Sequence, residues 1–344
     1  MSEPRQLADW VELHLPPEVS VPRPLELRPL PGDAGFRRYF RLVGSPSLIA
    51  THAPPAHEDS QAFVAKGLAL AGAGVRVPRI YAVDYRCGFL LQEDLGSDLM
   101  ADALRRGAAP ACYRRALETL ASIQRVPPDP GCFPAYDAAL LEGELALFPQ
   151  WFIGELLGIA LCDEERRLLG GTWATLVESA RQQPQVVVHR DFHSRNLLLT
   201  GSRGLGVVDF QDAVIGPVTY DLVSLLRDCY HRLDEADLDR YLTGYLDAAG
   251  VPAAARPQWR VWFDLMGLQR HLKVLGIFAR LWLRDGKARY LDDLPLVIRY
   301  VLEVARHHAA TREFAAWFQR RLLPAAGGQP WYRDWRTAGI PCAR

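Results

Sequence analysis

The sequence predicts an α+β fold in two lobes, a small antiparallel sheet with one helix followed by a larger and mostly helical part. Three observations carry this. Short β-rich runs crowd the first 95 residues around a single helical stretch, helical periods dominate from 96 onward, and one cluster of short strands interrupts the helices at 186–210. Strand runs followed by helix runs mark α+β folds or separate lobes.

"PLELRPL" (24–30), "RYFRLV" (38–43) and "SLIATH" (47–52) read as strands, with "PGDAGFR" (31–37) as a glycine-bearing connection between the first two. "HEDSQAFVAKGLALAGAG" (57–74) reads as a helix with Gly72 and Gly74 near its stop. "RIYAVDY" (79–85) and "GFLLQED" (88–94) are two further strands, giving the order β-β-β-α-β-β. "LQEDLG" (91–96) is the connector, so the lobes are expected at 1–95 and 96–344, with a cleft beside the connector. Helical periods follow at 97–107, 110–125, 137–157, 163–182, 218–232, 234–249, 257–285, 288–308 and 311–323.

The chain has 344 residues, 49% apolar and 23% charged, which suits a packed globular protein. Lys+Arg and Asp+Glu are both 40, so neither nucleic acid nor an acidic membrane surface is an expected partner. No apolar run is long enough to span a membrane. "MSEPRQLADW" lacks the apolar core of a signal peptide. Six scattered cysteines without a CxxC pair read as reduced thiols in a cytoplasm. A monomer is expected. Lysines are scarce: only Lys66, Lys273 and Lys287.

"VVVHRDFHSRNLLLT" (186–200) raises the question of function. A hairpin turn needs Asn-Gly or Asp-Gly, not six charged and polar residues between two apolar runs. Asp209 ends the next apolar run, thirteen residues after Asn196. Asp191, Asn196 and Asp209 thus stand at the ends of short strands. Two carboxylates and an amide oxygen suit a hard cation such as Mg²⁺. A cation beside a spare carboxylate suits phosphoryl transfer to a hydroxyl.

"HRDFHSRN" with "VVDF" resembles the catalytic loop H-x-D-x-H-x-x-N of the aminoglycoside phosphotransferase-like kinases. The resemblance implies a two-lobed, protein-kinase-like fold using ATP and Mg²⁺, with Asp191 as catalytic base and Asn196 and Asp209 as Mg²⁺ ligands. "PGDAGFRRYFRL" (31–42), with Gly32 and Gly35, occupies the slot of the phosphate-covering loop. "GFLLQEDLG" (88–96), with Glu93 and Leu95, occupies the adenine-binding hinge. "GDAGFRRYF", "LALFPQWF" and "LQRHLKVLGIFARL" look most like a bacterial subgroup that phosphorylates the anomeric hydroxyl of N-acetylmuramate and N-acetylglucosamine in peptidoglycan recycling. A kinase for another small alcohol or an aminoglycoside is the alternative, and a nucleotide-binding pseudokinase a third.

One departure stands out. Kinases place a lysine on the third strand, paired with a glutamate from the following helix, yet "SLIATHA" has none. Arg37 and Arg38, beside the glycine loop, are the expected substitutes, since arginine grips phosphate bidentately. Glu58 reads as solvated helix surface. Asp221 reads as a cap or a support for the loop. His193 either contacts substrate or braces the loop. In 257–285, Leu265, Leu268, Leu272, Leu275, Ala279 and Leu283 form an apolar stripe, with Arg270, Lys273, Arg280 and Arg284 on another face. That basic row is either solvated or faces an acidic acceptor. Glu144 and Trp151 share a helix face at i, i+7, as a sugar-binding carboxylate and ring or, for Trp151, as core.

Overall fold

The computed structural model describes residues 3–30, 35–201 and 204–339, so Gly32 lies outside the described residues. Contacts divide the chain into two compact units, one of residues 1–100 with 196–212 and one of 101–195 with 213–344. The division at residue 95 assigns the hairpin at 197–207 to the second lobe, whereas its contacts group it with the first unit.

The first unit opens with a helix that the strand-and-helix pattern did not announce, α1 (Glu3–Leu13). Leu7, Trp10 and Val11 recur at helical spacing, but one short amphipathic stretch is marginal without a surface to cover. Here the sheet supplies it. The strands β1 (Leu27–Pro29), β2 (Arg38–Leu42) and β3 (Leu48–His52) precede α2 (Ser60–Gly72), and β4 (Ile80–Asp84) and β5 (Phe89–Glu93) follow it. The five strands form one antiparallel sheet in the order β1-β2-β3-β5-β4. Leu7 and Val11 are buried against Leu42, Leu48, Ala50, Phe89 and Leu91. Every residue of the central β3 is buried, which explains its near-continuous apolar reading. Asp59 caps α2, accepting from Ala62 N at 2.9 Å.

The second unit is helical: α3 (Met100–Arg105), α4 (Ala109–Gln124), α5 (Ala138–Leu145), a π-helical stretch Phe148–Leu156, and α6 (Asp163–Arg181). Next in the chain come β6 (Gln185–Val188), then β7 (Leu197–Leu199) and β8 (Leu205–Val207), which belong to the first unit, and then β9 (Val214–Pro217). β6 pairs with β9, and β7 pairs with β8. The two runs that flank the charged loop therefore belong to different sheets. This answers why 189–196 is no turn: it does not join paired strands. Gly216 and Pro217 weaken the β signal of β9, so its sequence does not announce a strand.

The remaining helices are α7 (Tyr220–Leu226), α8 (Glu235–Ala248), α9 (Arg256–Leu283), α10 (Leu294–His307), α11 (Arg312–Trp317) and α12 (Leu323–Gly327). The helix expected at 218–232 ends early, where Arg227 leaves helical geometry at φ −121° and ψ 51°. α9 is the spine of this unit, contacting α6, α7, α10 and Phe148–Leu156. Of its expected apolar stripe all but Leu283 is buried. The basic row does not stay together: Arg270 and Lys273 are buried, and Arg284 is exposed. Among the described residues no helix is long and apolar enough to cross a membrane.

Gly276 permits the closest approach of α9. A Cβ there would lie 2.4 Å from the Leu147 carbonyl carbon and 2.5 Å from its oxygen. Both neighbours are backbone, so neither can swing away. Gly276→Ala is expected to cost about 1–3 kcal/mol, as overpacking does, seen as a lower Tm. An unchanged melting curve would mean that α9 and the residue-147 segment part easily.

Candidate active site

The first unit carries an open cavity of about 420 Å³. Leu30, Ile49, Pro78, Leu95, Leu198 and Val208 give it an apolar wall, while Tyr39, Glu93, Asn196 and Asp209 add polar groups. Glu93 is held by an ion pair with Arg76 and by Arg79 N at 3.3 Å. Leu95 sits so close to β8 that a Cβ on Gly206 would meet its Cδ1 at 2.8 Å. The sequence-identified Glu93, Leu95, Asn196 and Asp209 thus share one cavity.

Asn196 bonds both to Asp209 and to the residue before it. Val208 N donates to Asn196 O at 3.1 Å, and Asn196 Nδ2 donates to Asp209 Oδ2 at 3.3 Å. Asp209 has φ +66°, a left-handed conformation that few non-glycine residues adopt. Strain of this kind persists only where surroundings impose it. Among the described residues no cluster of three or more His, Cys, Asp or Glu could hold a metal. An amide beside a carboxylate still fits Mg²⁺, which takes one or two protein oxygens and fills its remaining positions with phosphate and water.

Arg37 forms an ion pair with Glu58, Nε to Oε2 at 3.0 Å, and its guanidinium lies 4.4 Å from the Phe63 ring centroid. Glu58 is therefore not solvated surface; its side chain is 17% exposed. Arg38 begins β2, in register with His52. Gly35 takes φ +146°, outside the range of most side chains. The lone lysine of this region, Lys66, is buried on α2 and donates to Gln211 O at 2.6 Å.

In the second unit the loop after β6 is shaped by buried carboxylates. Asp221, at the start of α7, accepts from His189 N at 2.7 Å and Arg190 N at 3.0 Å. These bonds hold Arg190 at φ +74°. Asp228 accepts from Ser194 N at 2.9 Å. Burial pushes the Asp221 carboxyl up to about 6 despite its backbone donors. Asp191 is driven the other way. Burial opposes its ionisation, but Lys273, His193, Arg270 and His189 outweigh that and hold it at about 2.

Around it lies a buried polar cluster. Glu144 accepts from Tyr136 and Arg190, pairs with Lys273 at 3.1 Å, and accepts from Gln269 at 3.3 Å. Lys273 also donates to the Tyr220 hydroxyl at 2.9 Å. Among the described residues, the one hydrogen bond of the Arg270 guanidinium is to Cys229 Sγ at 3.5 Å. His193 meets the Tyr230 ring edge-on with centroids 5.3 Å apart, and Arg195 stacks on the same ring at 3.4 Å. Trp151 is half-buried on the π-helical stretch, outside this cluster.

Residues 26–262, which include Asp191, Asn196 and Asp209, match the model of the phosphotransferase enzyme family. The chain belongs to that family. A Pseudomonas aeruginosa relative named N-acetylmuramate/N-acetylglucosamine kinase is 44% identical over 310 residues, spanning 86% of this chain and 90% of the relative. A Pseudomonas putida relative of the same name is 43% identical over 277 residues, spanning 79% and 81%. A solved spectinomycin phosphotransferase, in complex with ADP and spectinomycin, superposes with a TM-score of 0.60 at 10% identity, covering 92% of this chain and 98% of its own. The kinase-like α+β fold expected from the sequence is borne out.

Several residues of this phosphotransferase went unassigned in the sequence: Arg190, Tyr136, Gln269, Tyr220 and Asp228. Arg190 adjoins Asp191, and that adjacency was its only signal. The others come from distant helices and loops, and no spacing links them.

Proposed function

We propose that this phosphotransferase transfers the γ-phosphoryl group of ATP to the anomeric hydroxyl of N-acetylmuramate and N-acetylglucosamine, in the cytoplasm and in the service of cell-wall recycling. The observation that carries the phosphotransfer chemistry is the Asn196–Asp209 pair in the wall of a largely apolar cavity. The acceptor follows from the names of the two relatives. We assign the first lobe to the nucleotide and the second to the acceptor.

In this reading the apolar wall of the cavity takes the base, with Glu93 and Leu95 at the hinge. Asn196 and Asp209 hold Mg²⁺, which when bound neutralises charge on the nucleotide phosphates. Arg37 and Arg38 supply the cationic grip that other kinases take from the third-strand lysine. Asp191 orients the acceptor hydroxyl and accepts its proton. Held at about 2, it is ionised at every working pH. It is also a weak base, which suits a loose phosphoryl-transfer transition state in which the proton leaves late. Glu144 is saturated by protein donors. Its role is to fix Arg190 and Lys273 rather than to bind a sugar hydroxyl.

Turnover of ATP with a panel of sugars and amino alcohols, followed by ³¹P NMR, tests this. A sugar 1-phosphate is expected from both amino sugars. Transfer only to an amino alcohol or an aminoglycoside would overturn the acceptor, and no transfer to any acceptor would overturn the enzyme reading.

Arg270 is the expected partner of the lactyl carboxylate of N-acetylmuramate. Its guanidinium is buried, yet among the described residues its one hydrogen-bond partner is a thiol. Lys273 is already committed to Glu144 and Tyr220. Arg270→Ala is expected to lower kcat/KM for N-acetylmuramate by about one to two decades, the worth of a charge-assisted hydrogen bond. N-acetylglucosamine, which lacks the group, loses less. Equal losses on both sugars would assign Arg270 to Asp191 alone.

A further inference from the structure

Residues 209–211 dock on α2 and on Arg37, the residue before β2, through three contacts. Phe210 stacks on Phe63 with ring centroids 4.7 Å apart, and a Cβ on Gly67 would come within 3.2 Å of the same ring. Lys66 donates to the Gln211 carbonyl at 2.6 Å. Arg37, paired with Glu58, donates to Gln211 Oε1 at 3.3 Å. Gln211 uses both ends of its amide, because its Nε2 donates to Asp209 Oδ1 at 2.7 Å. The other Asp209 oxygen, Oδ2, accepts from Asn196.

We propose that Gln211 is a positioning residue that couples Arg37 to Asp209. It pins Oδ1 of the Asp209 carboxylate while Asn196 holds Oδ2, so that the two side chains face the cation as one fixed pair. In the same stroke it fixes the guanidinium on the nucleotide side. An amide can accept from a guanidinium and donate to a carboxylate at once. A carboxylate at 211 could do only the first and would repel Asp209, and an apolar side chain could do neither. Lys66 then serves the turn, by holding its backbone, rather than the nucleotide phosphates. Together Arg37, Glu58 and Gln211 take the place of the lysine–glutamate pair that the third strand lacks.

The inference rests on the ATP- and Mg²⁺-dependent reading above. Its test is equilibrium binding of ADP with and without Mg²⁺, by titration calorimetry on the full chain. Wild type is expected to bind ADP more tightly when Mg²⁺ is present. Gln211→Leu is expected to reduce that enhancement about tenfold, the worth of one charge-assisted hydrogen bond, with metal-free binding little changed. Gln211→Glu, which keeps the Arg37 contact and a similar shape, is expected to lose at least as much. Arg37→Ala combined with Gln211→Leu is expected to lose no more than the larger single loss, as coupled residues do. An intact Mg²⁺ enhancement in both Gln211 variants, or losses that multiply in the double variant, would overturn the inference. A wild type indifferent to Mg²⁺ would instead overturn the reading on which it rests.

Discussion

Asp191→Asn is expected to lower kcat by a factor on the order of 10² or more, the usual loss with a general base, while nucleotide affinity stays nearly unchanged. Asparagine keeps the shape and can still meet a hydroxyl, but it takes no proton. The pH dependence sharpens the test. Burial alone would push the Asp191 carboxyl up, and Lys273, His193, Arg270 and His189 bring it down to about 2. The carboxylate is therefore charged throughout the range in which the protein can be assayed. The ratio of wild-type to variant rates should stay flat between roughly pH 5 and 9. The sign for stability follows from the same shift. A carboxyl lowered in the folded state stabilises above its unfolded value near 3.8 and loses that contribution as pH falls toward 2. A near-normal kcat would remove Asp191 from the role. A ratio that changes through pH 6 would shift the titrating role to Asp221, which burial holds near that value.

The strands of the first unit were legible because each is a short run of β-favouring residues between Gly or Pro signals, and the sheet pairs them as antiparallel neighbours. α1 was not, since its three apolar positions gain meaning only against Leu48 and Leu91 of the sheet it covers. The pairing of β6 with β9 was not legible either. Register between strands 25 residues apart depends on tertiary packing, and β9 ends in a Gly-Pro step that reads as a loop.

The site divides in the same way. Asp191, Asn196 and Asp209 could be picked out because their chemistry is packed into nineteen residues of chain. Glu58 could not be read as the partner of Arg37, because the pair forms only when the chain turns back between β3 and α2. The burial of Arg270 and Lys273 was equally hidden. A cation at helical spacing reads as solvent-facing, and Glu144 and Tyr220 at Lys273, with Cys229, Tyr220 and Asp191 at Arg270, make burial of these two tolerable. Charged groups are buried when paired, and pairing across distant segments leaves no mark in spacing.

Asp209→Ala is expected to abolish transfer and to erase the difference between Mg²⁺-bound and metal-free nucleotide in binding. Among the described residues Asp209 is the one carboxylate hydrogen-bonded to both Asn196 and Gln211, so its loss removes an oxygen donor for the cation and strands two amide N–H donors together. Two protein oxygens are a small set for a hard cation, and removing one leaves little to hold it. Backbone geometry complicates the alanine variant. At φ +66° a residue other than Gly, Asn or Asp is strained, so alanine carries a conformational penalty unrelated to the metal. Asp209→Asn separates the two, because asparagine tolerates that conformation and keeps the hydrogen-bonding shape while losing the charge. Both variants should lose the Mg²⁺ effect, and only the alanine variant should lose additional thermal stability. If calorimetry finds the asparagine variant binding nucleotide with its Mg²⁺ enhancement intact, Asp209 is a structural turn residue and the cation is held elsewhere.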